Sequence, residues 1–301
     1  MEGARRPFTQ PLWLGTESLA GKTILLHSEQ GLGDTIQFCR YAQLVAELGA
    51  RVLMEVPEPL VGLLKDVRGV SHVIVRGSPL PTFDYHCPLL SLPLAFKTNL
   101  NSIPCSTKYV HADPVKLTHW TSRLGEKRHP RIGLVWSGRT EQKNDHNRSI
   151  ALAALIPHLP ADCQYVSLQK EVRKIDKPML ESSTNILHFG DELHDFTDTA
   201  ALCELMDVVI SVDTSVAHLS GALGQPTWVL LSFNPDWRWL LERDDSPWYP
   251  SIKLYRQPRV GDWDSVLVKL TADLAQLRSR NVSEFEPRAW PFTTQACISE
   301  S

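Results

Sequence analysis

Long apolar runs are missing from this chain. Nothing in it approaches the ~18 uninterrupted apolar residues that a membrane-spanning helix needs, so no transmembrane segment is expected. The amino terminus, Met1-Glu2-Gly3-Ala4-Arg5-Arg6-Pro7, leads into Pro and Thr instead of the apolar core of a secretory signal. A cytoplasmic location follows as the expectation. A charge excess is missing too: 31 Lys and Arg against 34 Asp and Glu give a net −3, with no electrostatic case for nucleic acid or an anionic membrane surface. The six cysteines (Cys39, Cys87, Cys105, Cys163, Cys203, Cys297) form no Cys-x-x-Cys pair and no Cys/His group at zinc spacing. They read as reduced thiols, and no metal site is expected.

Several catalytic signatures are absent as well. Gly31-Leu32-Gly33 is no dinucleotide fingerprint, because the position three beyond Gly33 is Ile36. Gly21-Lys22-Thr23 lacks the earlier glycine of a phosphate loop, and there is neither a Gly-x-Ser-x-Gly elbow nor a kinase loop set. Nucleophilic and metal hydrolases are therefore poorly supported. No internal repeat or low-complexity tract is present.

What remains is an ordinary globular composition, 43% hydrophobic and 22% charged over 301 residues, enough for two domains. The organising stretch is Val208-Val209-Ile210-Ser211-Val212-Asp213-Thr214-Ser215-Val216-Ala217-His218-Leu219. The β-branched run predicts a buried strand, Asp213-Thr214-Ser215 supplies capping oxygens, and a close-packing helix runs on to Gly224. Free amides at the start of such a helix make a natural anion site. The corner is either a diphosphate seat or an ordinary capped helix.

Around it the chain alternates strand and helix. Thr23–His27 and Arg51–Val56 predict strands separated by a helix ending near Leu48. Residues 131–136, 164–168, 186–188, 208–212, 227–231 and 252–256 predict strands of a second sheet. The spacing predicts an α/β protein with two doubly wound parallel sheets, covered on both faces and meeting at a cleft. The boundaries read as a lead-in over 1–20, a first domain over 21–125, a second over 126–280, and a loosely held tail over 281–301.

The loops after the strands carry the candidates. Asp34 follows Gly31 and Gly33, two glycines that let backbone turn tightly and approach a ligand. Asp34 is either a base toward an acceptor hydroxyl or a helix cap. Lys143 and Arg148, in the polar loop 137–149, are either cations for a leaving diphosphate or a solvated face. His218, one turn into the helix, is either functional or a structural hydrogen bonder. Trp136, Gln169 and Lys170 are the weaker candidates for a nucleoside. Trp237, Trp239 and Trp248 fit packing better than stacking on sugar.

Together, Gly31-Leu32-Gly33-Asp34, the Lys/Arg loop after Trp136 and Asp213-Thr214-Ser215-Val216-Ala217-His218 resemble glycosyltransferase family 9, the heptosyltransferase group, over roughly residues 22–275. The closer likeness is to the region found behind tetratricopeptide repeats in bacterial proteins, which implies a tetratricopeptide-repeat partner. The resemblance implies a GT-B fold and metal-independent, inverting transfer. It also implies a nucleotide-diphospho-sugar co-substrate with no further cofactor, and a glycan or protein acceptor. Carried over, Asp34 is the general base, and Arg148 stands where the family has a diphosphate-binding lysine. Asp213 contacts the donor sugar, the Thr214 and Ser215 amides hold the diphosphate, and His218 supports the corner. The chain departs from the family pattern at Arg148-Ser149-Ile150-Ala151, at Ser215, where the family has Gly, and in the aromatic segment 234–250, so the donor sugar is open. A non-catalytic sugar-nucleotide or glycan-binding module, acting through a partner, is the alternative function.

Overall fold

The computed structural model describes residues 6–104, 107–140, 142 and 144–278. Lys143, Cys105, Cys297 and the tail 281–301 lie outside the described residues.

Two parallel sheets form the frame, in a GT-B-type α/β architecture. The first holds β1 (Thr23–His27), β2 (Arg51–Val56), β3 (Val70–Val75) and β4 (Tyr85–Pro88) in the order β3-β2-β1-β4. The second holds β5 (Arg131–Val135), β6 (Gln164–Ser167), β7 (Ile186–His188), β8 (Val208–Val212), β9 (Thr227–Leu231) and β10 (Ile252–Arg256) in the order β10-β9-β8-β5-β6-β7. Every pairing within both sheets is parallel. The continuous burial of β5, β8 and β9 matches their predominantly apolar sequences, as expected for strands covered on both faces.

In each sheet the winding reverses once. β1 sends the chain to β2 and β3 on one side and receives β4 on the other. β5 likewise separates β6 and β7 from β8, β9 and β10. The carboxyl ends of β1 and β4, and of β5 and β8, therefore splay apart into crevices where ligands bind in open α/β sheets.

One core runs through both halves. Ile24, Leu26 and Met54 from the first sheet, Val209 and Val229 from the second, and Trp120 and Trp248 belong to the same buried cluster. The far face of the second sheet closes on the carboxy-terminal helix Trp263–Arg278, which contributes Val266, Leu267, Leu270 and Leu274. The far face of the first sheet departs from the expected helical cover. Leu25, Leu53 and Ile74 there meet Phe8, Leu80 and Phe83, from the lead-in and the segment between β3 and β4. The lead-in docks by backbone pairing, with Trp13 N donating to His86 O at 2.9 Å and His86 N to Pro11 O at 3.1 Å.

Two predicted elements are broken up. The helix expected to run to Leu48 is helix Leu32–Phe38, a 3-10 turn Cys39–Tyr41, and helix Ala42–Glu47. The turn accommodates Arg40, which is buried on the seam between the halves and donates from Nη1 to Trp248 O (2.6 Å) and from Nη2 to the Tyr109 hydroxyl (2.9 Å). The polar loop 137–149 contains a short helix, Asp145–Arg148.

Candidate functional site

The crevices of the two sheets face each other across a single cleft of about 2210 Å³. Drug-sized ligands fill roughly 300–1,000 Å³, so this volume takes a donor and an acceptor together. Its walls are the loops that follow β1, β4, β5, β6, β8 and β9.

On the second-domain wall, β8 ends at a tight polar corner. Ser211 Oγ donates to Val212 O at 2.6 Å and is hydrogen-bonded to Thr214 Oγ1 at 3.1 Å. Thr214 is the N-cap of helix Ser215–Ala222, and its Oγ1 accepts the Val216 N–H. The first amides of a helix have no acceptor within it, so the Ser215 N–H end opens toward the cleft that Asp213, Thr214 and Ser215 line. Arg148 reaches the corner from the β5 loop, donating from Nη1 to the backbone oxygen of Asp213 at 2.6 Å. Its Nε holds Asp145, whose buried carboxylate also receives Ser149 Oγ at 3.1 Å and Arg173. A β-carbon on Gly138 would press on the Asp145 carboxylate and the Arg148 guanidinium, so a larger residue there would displace that ion pair.

Burial sets the charges here. It pushes the Asp213 carboxyl up to about 6 against the pull of the Trp239 indole, with Asp236 adding to the rise and Arg148 and Arg238 opposing it. The Trp239 N–H makes no fully formed hydrogen bond. His218 is held neutral, its pKa lowered to about 3 by burial and then by Arg238, Arg40 and Arg148. Its Nδ1 is hydrogen-bonded to the Tyr249 hydroxyl at 2.9 Å, and its ring stacks on Trp239 with centroids 5.3 Å apart.

The first-domain wall carries Asp34. One carboxylate oxygen accepts the Gly31 N–H at 2.8 Å and the other pairs with Arg238, which also binds Asp236 at 2.8 Å. Asp34 is thus both a helix cap and a partner of the opposite half. Beside it Glu29 accepts the Leu90 N–H at 3.2 Å with Oε1.

The structure brings Asp34, Arg148, Asp213, Thr214, Ser215 and His218 to one cleft, which Gly31, Gly33, Gln169 and Lys170 also line, and it places Trp136 outside that cleft. Trp136 is fully buried in the core beneath the sheet, its indole donating to Asp176 at 3.1 Å, so it lines no nucleoside pocket. The alternation Ile132, Leu134, Trp136 signals this, because all three share one face of β5 and its extension. Gln169 lines the cleft but is spent on backbone: its Oε1 accepts the Trp136 and Ser137 amides at 2.8 and 2.9 Å, and its Nε2 donates to Ser137 Oγ. Gly33 serves contact between the halves. A β-carbon there would lie 2.7 Å from His218 Cδ2, with Ser215 Cα at 3.4 Å. Gly31 has extended backbone with φ −73°, which any residue adopts. Lys170 is exposed on the rim and donates to His194 O at 3.0 Å. Trp239 and Trp248 are buried, while Trp237 is 57% exposed. Sequence reasoning missed Glu29, Arg173 and Arg238 as cleft residues. Among the described residues no cluster of three His, Cys, Asp or Glu side chains is arranged to hold a metal ion.

No protein-family model matches the chain. Protein FlbA of Caulobacter vibrioides is 24% identical, over 87% of this chain and 48% of its own. The chain thus spans about half the length of the curated relative it matches. Among solved structures, a family 9 glycosyl transferase from Veillonella parvula aligns with a TM-score of 0.57 at 10% identity, covering 90% of this chain and 94% of that one. The E. coli ADP-heptose lps heptosyltransferase II aligns at 0.55 and 12%, covering 85% and 99%. The dodecameric iron-containing heptosyltransferase TibC, from E. coli, in complex with ADP-D-beta-D-heptose aligns at 0.54 and 12%, covering 87% and 77%. The two parallel sheets facing one cleft are the fold of these glycosyltransferase family 9 heptosyltransferases.

Proposed function

We propose that the chain is a glycosyltransferase that moves a sugar from a nucleotide-diphospho-sugar to a hydroxyl of a saccharide or protein, with inversion and without a metal. One observation carries the reading: Asp34 and the Thr214 corner stand on opposite walls of one cleft, with Gly33 in contact with the helix that the corner begins. The diphosphate lies against the Ser215 helix start and Arg148, where free amides and a guanidinium offset the charge that builds as the leaving group departs. Asp213 receives donor sugar hydroxyls, and His218 holds the corner from behind. Asp34 draws the proton from the acceptor. ADP-heptose, the nucleotide sugar of two fold neighbours, supports this donor class. A cytoplasmic location goes with the reading on the sequence, and a tetratricopeptide-repeat partner on the resemblance alone.

A second reading, a binding module without turnover, is favoured by the occupied Asp34, both of whose oxygens are taken by Gly31 and Arg238.

The test is a thermal-shift panel of ADP, GDP, UDP, CMP and dTDP and their sugars on wild type and Arg148→Ala, followed by donor-consumption assays. A ligand at 100 times its Kd stabilises by about 2.7 kcal/mol. One nucleotide that stabilises the wild type, loses its effect in Arg148→Ala, and whose sugar is transferred by wild type but not by Asp34→Ala establishes the enzyme. Binding without turnover selects the module, and no response to any nucleotide rejects the transferase and leaves the glycan-binding form of the module.

A further inference from the structure

The first sheet reverses its winding between β1 and β4, and one side chain spans that crevice. Glu29, two residues beyond β1, accepts the Leu90 N–H of the loop after β4 with Oε1. Its other oxygen, Oε2, is buried with no partner, and Ser28 Oγ next to it is also buried and unpartnered. Both residues line the cleft on the same wall as Asp34. A buried carboxylate oxygen left open at a switch-point crevice calls for an explanation beyond the anchor to Leu90.

Both oxygens of Asp34 are engaged, one by the Gly31 N–H and the other by the Arg238 guanidinium. Resting on the glycosyl-transfer reading above, we propose that Glu29 is the second carboxylate of a proton relay, taking on Oε2 the proton that the acceptor hydroxyl gives up through Asp34. The acceptor oxygen forms its bond to the anomeric carbon as the bond from that carbon to the phosphate oxygen breaks. The bonding pair leaves with the nucleoside diphosphate. The proton passes from acceptor to Asp34 to Glu29, and from there to water in the open cleft.

The electrostatics agree with the geometry. Burial raises the Glu29 carboxyl to about 7, partly offset by the Leu90, Glu29 and Leu89 N–H groups, and the neighbouring Asp34 charge adds to the rise. The Cys87 thiol behind it is pushed up by burial and by Glu29 itself, and stays neutral. His27, lowered to about 3 by burial, and His86, lowered likewise, stand on the same wall as neutral rings, with Arg6 and Arg76 as the nearby cations.

The experiment uses the full chain and the nucleotide sugar that the donor panel identifies, with water as acceptor, and measures nucleoside diphosphate release from pH 5 to 9. Glu29→Gln keeps an oxygen for the Leu90 N–H and removes only the ionisation; Glu29→Asp keeps the ionisation. Nucleotide Kd is measured in parallel. The expected result is that Glu29→Gln lowers kcat at least about tenfold with unchanged nucleotide Kd. In the same variant the fall in rate below about pH 7 disappears, and Glu29→Asp recovers part of the rate with that limb restored. A Glu29→Gln protein with wild-type kcat and the wild-type pH profile overturns the relay while leaving the transferase standing. A wild type that binds nucleotide yet consumes no donor, with water or with an added saccharide or protein acceptor, overturns both.

Discussion

Gly33 and His218 meet with no room for a side chain between them: a β-carbon on Gly33 would lie 2.7 Å from His218 Cδ2. The imidazole cannot retreat, because Trp239 stacks on it and Tyr249 holds its Nδ1. Gly33→Ala therefore drives helix Leu32–Phe38 away from helix Ser215–Ala222. Overpacking of this kind costs about 1–3 kcal/mol. Urea unfolding is expected to show that loss, and the nucleotide-induced thermal shift is expected to shrink, since the donor corner moves with the helix.

Arg238 joins the halves electrostatically, pairing Asp34 of the first domain and Asp236 of the second with only 7% of its side chain exposed. Hydrogen bonds to charged groups contribute about 1.5–3 kcal/mol, more when their loss strands a partner. Arg238→Met is expected to lower the urea-unfolding free energy by that amount. A double-mutant cycle with Asp34→Asn is expected to give a coupling of about 0.5–3 kcal/mol. Additive single effects would mean that the pair contributes nothing to holding the halves.

His218 makes stability depend on acid. Its folded pKa, about 3, lies below the ordinary 6.5 because burial disfavours the imidazolium. Between those values the unfolded chain binds a proton that the folded one refuses, so stability rises with pH across that window and the contribution is fully present above it. His218→Gln is expected to remove up to about 1.4 kcal/mol per pH unit from the slope of unfolding free energy in that window. His27, shifted to about 3 in the same direction, keeps a slope of its own in the variant.

Much of the frame is legible in the sequence because apolar β-branched runs declare buried parallel strands: β1, β2, β8, β9 and β10 fall where their residues predict. The Thr214 cap and the helix after it are local chemistry and equally readable. What escapes is whatever depends on distant partners. The break at Cys39–Tyr41 exists because Arg40 bonds a carbonyl 208 residues away. Asp145 reads as one more loop acid until Arg173, 28 residues on, is folded against it. Gln169 looks like a surface polar group, yet it stitches the β5 loop. Glu29 is inconspicuous beside Asp34 in the sequence, since the crevice that buries one of its oxygens is made by the later return of β4.

The seam bears on how such a protein can be altered. Tyr109 and Val110 both donate to Ala222 O, at 3.1 and 3.3 Å, and Arg40 reaches across to Trp248 O while Tyr249 reaches His218. The helix that offers the donor corner is therefore clamped by Tyr109 and Val110 and packed on the opposite half. A graft of another protein's donor-binding half onto this acceptor half would sever that clamp and open one continuous core. The halves are not interchangeable cassettes, and a change of donor preference has to be made in the cleft loops, leaving the Ala222, Arg40 and Gly33 contacts in place.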